Sequence, residues 1–563
     1  MQNLKKLIQN YLQNYLDRKR IDVKFEVSVS TNLANGDFAS NIALVLSNQN
    51  TGDNPRLTAE KIKVFLDESN ELREVIEKVE VAGPGFINFF LNQEYLSKSL
   101  QEITQPNTEF GNSNTNPGQK TIVEFGDPNP FKEIHIGHLR NFCIGESYSR
   151  LLETQRNEVI RANYQGDVGM HVAKCLWGLL HGSSPKTQDS ELTSLELANA
   201  YAYGATKFEE DEEVKKEITE INKRIYNDDP ELKPLWEKGR KVSLNHFEEL
   251  YSRIGIKYDK YYFESVTAKR GKELVLSHVN DGVFEKNDGA IVYRGEQDGL
   301  HTRVFVTSQD YATYEGKDLA LAVIKNEEVG YDRSVVLTGN EQLEYFQVML
   351  AALKRIAPEL ADKTSHYTFG HVRLKEGKMS SRTGDVITAN WLLDEAVKRV
   401  NVAFPDMDSD TAEKVGVGAV KYSMLKFSIP SDIHFDFEES ISIEGNSGPY
   451  LQYTYVRTQS VLNKAQEVGS GELRTDSLVT EEKDLLRFLT QFPYHVEIAA
   501  SEFAPNLLCN YLFELSQKFN LFYQKHKIIG SEDEAFRLEL TKAVGIVLQK
   551  GLQLLGISTV ARM

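Results

Sequence analysis

The sequence predicts a multidomain α/β chain: a Rossmann-type parallel-sheet central domain with a helical insertion, an α+β N-terminal domain and an all-α C-terminal bundle. Three observations predict it. At 563 residues the chain exceeds what one hydrophobic core usually serves. Strand-like runs alternate with helical stretches through its middle third, the pattern of βα units around a parallel sheet. From about residue 446 onward the apolar spacing is helical throughout, with no strand-like alternation.

The first segment places Leu4, Leu7, Ile8, Tyr11, Leu12 and Tyr15 three and four apart, which describes an amphipathic helix. Residues 25–29, 79–82 and 86–91 are rich in strand formers and read as extended. Residues 105–119, dense in Asn, Pro, Gly and Thr and without apolar periodicity, read as a linker and domain boundary. Beyond it, residues 121–125 form a strand that passes through a Pro-containing turn into a helix over 136–153. Residues 304–307 and 335–338 are further strands of the same parallel sheet, and 343–356 a helix between them and the rest. Residues 186–255 are charged, and Val214, Ile218, Ile221 and Ile225 mark an amphipathic helix, so this stretch is a helical insertion. The divisions are 1–110, 118–438 with the insertion near 186–255, and 440–563.

Composition excludes several classes. Hydrophobic residues at 40% and charged residues at 26% are ordinary for a soluble globular protein. The N-terminal twenty residues lack the apolar core of a secretory signal, and no eighteen-residue apolar run occurs, so no membrane span is expected. Three cysteines, Cys143, Cys175 and Cys509, form no CxxC pair and have no clustered His partners, which argues against a disulfide framework or zinc site and for a reducing cytoplasm. A net charge of −17 argues weakly against a nucleic-acid partner, although an acidic chain can still carry a local basic track.

Two motifs carry chemistry. His135-Ile136-Gly137-His138 stands where a strand gives way to a helix, at the carboxyl edge of the sheet, where a helix N-terminus offers unpaired N–H groups to an anion. His135 and His138 fall on one helical face and can both donate to phosphate oxygens, while Gly137 leaves room for a flat base. More than two hundred residues on, Gly377-Lys378-Met379-Ser380-Ser381-Arg382-Thr383-Gly384 combines two cations and two hydroxyls between glycines. Such a loop can close over phosphates and stabilise charge on a departing pyrophosphate.

These two motifs, in this order around an α/β domain, resemble the class I aminoacyl-tRNA synthetases, and the neighbouring residues resemble the arginyl branch. Residues 123–132, VEFGDPNPFK, are similar to that branch's approach to its first motif, and 445–462, GNSGPYLQYTYVRTQSVL, to its junction with the anticodon-binding bundle. LANGDFASNIALVLS and VAGPGFINFFLN resemble its additional N-terminal domain, so the resemblance spans nearly the whole chain. It implies ATP-dependent activation of L-arginine to arginyl-adenylate, followed by transfer to the terminal ribose of arginine tRNA with release of AMP and pyrophosphate.

By the same resemblance, His135, His138 and Lys378 are catalytic, and ATP is held by His135, Gly137, His138, Gly339, Glu341, Lys378, Met379, Ser380 and Ser381. Arginine is held by Glu124, Asn129, His135, Tyr314, Asp318 and Gln342. The chemistry agrees, since a planar, permanently charged guanidinium suits two carboxylates and an aromatic face. Asn88, Phe89 and Asn92 fall on the segment that meets the tRNA D-loop in the family, and Tyr450, Tyr453, Arg457 and Met563 on the anticodon surface. The sequence departs from the family at Glu341, where Asp is usual, at Val168, where an aromatic residue is common, and at Arg382, which replaces a lysine. Magnesium is expected to arrive with ATP, with no protein-bound structural metal, and the chain to work as a cytoplasmic monomer. Two other readings compete: a catalytically silent tRNA-binding paralogue, and a class I synthetase for a different amino acid. Retention of both histidines, Lys378 and two acids suited to a guanidinium weighs against both.

Overall fold

The computed structural model describes residues 4–30, 32–49, 54–182, 185–186, 189, 191–375, 387–465 and 478–563. The first helix, Leu4–Lys19, buries Leu4, Leu7, Ile8, Leu12 and Leu16, so the apolar stripe in the sequence is the face that packs. It leads into a four-stranded antiparallel sheet, ordered Val27–Val29, Phe38–Ser40, Phe86–Leu91 and Ile76–Ala82, flanked by the helices Ile42–Gln49 and Pro55–Asp67. Residues 105–119 carry no regular element, as their composition predicts, yet they are tied down. Phe110 stacks on Phe492 at 5.9 Å, and the backbone N–H groups of Ser113, Asn116 and Gly118 bond to Thr154, Gln155 and Arg156.

The central domain is built on a five-stranded parallel sheet, ordered Thr364–Phe369, Arg333–Gly339, Lys120–Glu124, Glu158–Gln165, Lys260–Phe263. The chain begins at the middle strand, winds to one edge, then returns to the other side. The strand order therefore reverses between Lys120–Glu124 and Arg333–Gly339, and the carboxyl ends of these two strands open the crevice in which such sheets bind ligands. Helix Ile136–Glu153 crosses from the middle strand to its neighbour. The next crossover carries the insertion as three helices, Ser194–Glu210, Glu212–Tyr226 and Lys233–Arg253. Asp167 fastens it: its carboxylate accepts from the backbone N–H and hydroxyl of Ser265, both at 2.8 Å, and pairs with Arg240 at 3.2 Å, while its carbonyl accepts from the Trp236 indole. The adjoining Val168 is buried.

One strand departs from expectation. Residues 303–306 are extended, but they lie in a separate three-stranded antiparallel sheet with Glu285–Asn287 and Ala290–Tyr293. Phe305 and Val306 are buried whereas Val304 is 38% exposed, so this strand lacks the two-sided cover that a strand of a parallel sheet requires. The sheet is nucleated by a two-residue turn at Asp288 and Gly289, both with positive φ (48° and 83°), the twist that tight hairpins favour.

From Gly448 the described residues are helical: Gly448–Ala465, Thr480–Leu489, Phe492–Ser501, Pro505–Lys525 and Glu534–Leu554. The bundle rests on both other parts. Arg487 forms a buried ion pair with Asp37 of the N-terminal sheet, and Lys421 of the central domain donates to the carbonyls of Ile254 and Gly556. No helix among the described residues is long and apolar enough to cross a membrane.

Candidate active site

At the crevice, His135 is the N-cap of the helix Ile136–Glu153. Its Nδ1 accepts from the Gly137 N–H at 3.1 Å, and its own N–H donates to Nδ1 of His138 at 3.2 Å. Each imidazole thus has its Nδ1 occupied as an acceptor, which leaves the proton on Nε2. The ring centroids lie 3.8 Å apart with the planes tilted by 31°, and burial with the nearby Lys132 ammonium holds both below the ordinary histidine range, His138 well below it. The pair is neutral at pH 7 and presents two Nε2–H donors. A side chain at Gly137 would come within 2.9 Å of the His135 ring, so glycine is needed there to let that ring fold back over the helix start.

Lys378, Met379, Ser380, Ser381 and Arg382 lie outside the described residues, but both flanks of their segment meet the histidine motif or its helix. Downstream, His135 bridges to Thr388, Ile136 N–H donates to Ile387 and Ala389 N–H to Ile134. Upstream, strand Val372–Leu374 pairs with Ile433–Phe435. Arg140, fully buried one turn into the helix, secures this side by donating to the carbonyls of Gly370 (2.6 Å), Ser431 (2.7 Å), Ile429 (3.0 Å) and Ser428 (3.3 Å). The histidine motif and the described flank at 387–389 are joined through backbone pairing that their separation in sequence conceals.

A cluster of acids stands at the same end of the sheet. Glu124 ends the middle strand and is 3% exposed; Asp318, 8% exposed, lies one turn into the helix Tyr314–Val329. Asp127, which the sequence reading passed over, joins them: it accepts from the Tyr164 N–H at 2.7 Å. Burial and mutual repulsion with Glu124 hold the Asp127 and Asp318 carboxyls well above the ordinary carboxylate range. One cation answers them directly: Lys325, 2% exposed, donates to Oε2 of Glu124 at 2.7 Å. A second buried lysine, Lys317, is paired with Glu264 at 2.6 Å. Tyr345, from the helix Leu343–Ile356, sets its hydroxyl 3.0 Å from Asp318 and 3.1 Å from the Gln342 side chain. Tyr314 opens the helix with its ring 63% exposed, at 6.5 Å from Tyr345.

The parts are spaced along the sheet edge. Glu124 is in register with Ala162, Asp127 caps Tyr164, and Asn129 lies over Gly166. A Cβ on Gly166 would sit 2.2 Å from Asn129 Oδ1, so glycine is what lets Asn129 occupy its place. Gly166→Ala is expected to leave folding nearly intact, because the displaced atom ends a short side chain, and to push the Asn129 amide out of place, checked by thermal denaturation and by a rise in substrate KM of about tenfold in steady-state kinetics. On the facing strand end, the turn Asn340–Gln342 follows Gly339, which a side chain would drive into the Glu341 carboxylate at 2.5 Å. Glu341 is exposed and Gln342 half-buried toward the pocket.

The expected tRNA contacts divide. Phe89 is corrected to a core residue: it is fully buried, in register between Phe38 and Val79, and a ring without exposed surface cannot stack on a base. Asn92 caps the helix Gln93–Thr104 and donates to the carbonyls of Arg73 and Glu74, which engages its whole amide. Asn88 is buried beside it. In the bundle, Arg457 lies between the rings of Tyr453 (4.9 Å) and Tyr523 (5.0 Å), an exposed aromatic the sequence reading missed. The Tyr450 hydroxyl accepts from Asn520 at 3.0 Å, and Met563 packs against the cluster around Val400 and Val456.

Known proteins agree with this architecture. The family model described as tRNA synthetases class I (R), catalytic domain, matches residues 100–437. The DALR anticodon binding domain matches 451–563, and the arginyl tRNA synthetase N terminal domain 2–91. The arginine–tRNA ligase of Fusobacterium nucleatum is 33% identical over 99% of this chain and 98% of its own length, and that of Treponema denticola is 33% identical over 84% of each. Among solved structures, Thermus thermophilus arginyl-tRNA synthetase shares the fold over all of both chains with a TM-score of 0.82 at 23% identity, and the Plasmodium falciparum arginyl-tRNA synthetase with 0.80 at 22%. With its catalytic region, anticodon-binding region and N-terminal domain all matched, the chain belongs to the arginyl-tRNA synthetases, the class I ligases that join arginine to its tRNA.

Proposed function

We propose that arginine binds with its guanidinium among Glu124, Asp127 and Asp318 and its backbone at Asn129, while His135 and His138 face the ATP phosphates. The observation that carries this reading is a charge count. Two buried carboxylates, Glu124 and Asp318, and the half-buried Asp127 line a site in which Lys325 is the one directly paired cation, among the described residues, and a guanidinium supplies a second positive charge. An uncharged amino acid would leave those acids without a counterion, at a cost that buried polar sites do not sustain.

The arginine carboxylate attacks the α-phosphate of ATP in line, giving arginyl-adenylate and pyrophosphate. The Nε2–H groups of His135 and His138 donate to phosphate oxygens as charge shifts, and Lys378 closes over the leaving pyrophosphate. Magnesium would arrive with ATP and would offset the charge of its phosphates. The terminal ribose hydroxyl of arginine tRNA then attacks the adenylate carbonyl and AMP leaves. No side-chain nucleophile enters, so catalysis rests on placement and electrostatics. Tyr314, Gln342, Gly339 and Glu341 complete the substrate contacts, and Tyr453, Arg457 and Tyr523 form the anticodon platform, where tyrosines and an arginine suit splayed bases. We place the domain limits near residues 110 and 440, with the enzyme acting as a cytoplasmic monomer; three buried, unpaired cysteines support the reducing compartment.

The test is ATP–pyrophosphate exchange across the twenty amino acids, with and without total tRNA. Exchange with arginine alone, dependent on tRNA, is expected. Exchange with another amino acid would overturn the pocket assignment.

A further inference from the structure

We infer that Lys325 is a positioning residue for arginine: its ammonium holds Oε2 of Glu124, leaving Oε1 as the oxygen that receives the guanidinium. This rests on the assignment of Glu124 to the guanidinium. Lys325 stands on the helix Tyr314–Val329, two turns beyond Asp318, and reaches the end of the middle strand, where it meets Glu124 at 2.7 Å and the Ser334 hydroxyl at 3.2 Å. Its stem is fully enclosed, so neither water nor rotamer freedom offers it another position. A carboxylate with one oxygen held in this way offers its free oxygen, Oε1, as the first contact for a guanidinium N–H. The second and third contacts then fall to Asp318 and to the Asp127 carboxylate farther along the edge.

The groups facing Glu124 fix what Lys325 does electrostatically. Asp127 lies on the following loop, Asp318 on the same helix as Lys325, Tyr164 and Tyr262 on the neighbouring strands, Tyr331 at the approach to Arg333–Gly339, and Tyr345 on the next helix. All are acids or hydroxyls, so Lys325 is the one cation paired directly with Glu124, among the described residues. Without it, the Glu124 carboxylate loses the partner that fixes its orientation.

The experiment is a double-mutant cycle on the full-length enzyme, read by arginine KM and kcat in tRNA-dependent pyrophosphate exchange from pH 6 to 9. Lys325→Met is expected to raise arginine KM at least about tenfold at pH 7 with kcat within a few-fold. Lys325→Arg restores a near-native KM. On a Glu124→Gln background, Lys325→Met adds less than about twofold, because its effect passes through Glu124. An unchanged KM in Lys325→Met beside a raised KM in Glu124→Gln overturns the inference and leaves the pocket assignment standing. An unchanged KM in Glu124→Gln overturns both. If Lys325→Met does not fold, the double variant carries the test, since its neutral pair leaves no buried charge alone. An arginine KM equal to that of Glu124→Gln supports the inference, and a higher one overturns it.

Discussion

Asp318→Asn is expected to lower kcat/KM for arginine about 10²- to 10³-fold while leaving the fold as stable as before or more so. The loss follows from the substrate side: removing one partner of a buried, hydrogen-bonded charge pair costs about 2–5 kcal/mol, and each 1.4 kcal/mol is tenfold. The gain follows from the empty protein. Asp318 is buried beside Glu124 and Asp127, and its carboxyl is held well above the usual range, chiefly by burial and then by the Glu124 charge. An acid whose folded pKa is raised binds its proton more tightly folded than unfolded. Its contribution to stability is therefore present below the ordinary carboxylate pKa of about 4 and is lost as pH rises toward the raised value. Thermal denaturation without arginine, run across that window, is expected to show a fall in stability with pH for the native chain and a shallower one for the variant. Added arginine should stabilise the native chain and have little effect on the variant. A variant that melts earlier at neutral pH and binds arginine normally would assign Asp318 to the fold rather than to the ligand.

What the sequence discloses and what it hides divide by range of interaction. The histidine motif is local, and the helix it caps begins at the residue its spacing indicates. The pocket is not local. Glu124 and its lysine are 201 positions apart, Lys317 and Glu264 53, so neither pairing leaves a pattern within a window of the sequence. Asp127 lies within the 123–132 segment, but nothing local marks its carboxylate, whose place is set by the Tyr164 N–H of the neighbouring strand. The strand at 303–306 differs again: its residues are strand formers, but its partner is Ala290–Tyr293, itself paired across the Asp288–Gly289 turn with Glu285–Asn287, and strand propensity alone does not say which sheet a strand joins. Phe89 belongs to a strand of nearly unbroken apolar residues, FINFFL, where alternation fails and no periodicity tells which ring faces inward.

The largest effect on the chemical step is expected at His138. Its replacement by alanine should lower kcat for adenylate formation about 10²- to 10³-fold with arginine KM changed little, the signature of a donor that acts as charge develops. A second cost reinforces the first: His138 Nδ1 receives the N–H of His135, so alanine also strands that N–H and loosens the ring centred 3.8 Å away. The two histidines act as one unit, and a double alanine variant should lose little more than the worse single one. The pH dependence separates this account from one in which an imidazolium neutralises phosphate. Both rings are held below the ordinary histidine range, His138 far below, so each gains its proton at a lower pH than a free imidazole does. Between pH 8 and 6 kcat at saturating arginine should stay flat, while arginine KM rises as pH falls, because Asp127 and Asp318 take up protons that the substrate must displace. A kcat that climbs on acidification through pH 6.5 would mean that a charged histidine does the work, and the neutral donor pair built on Gly137 and His135 would have to be given up.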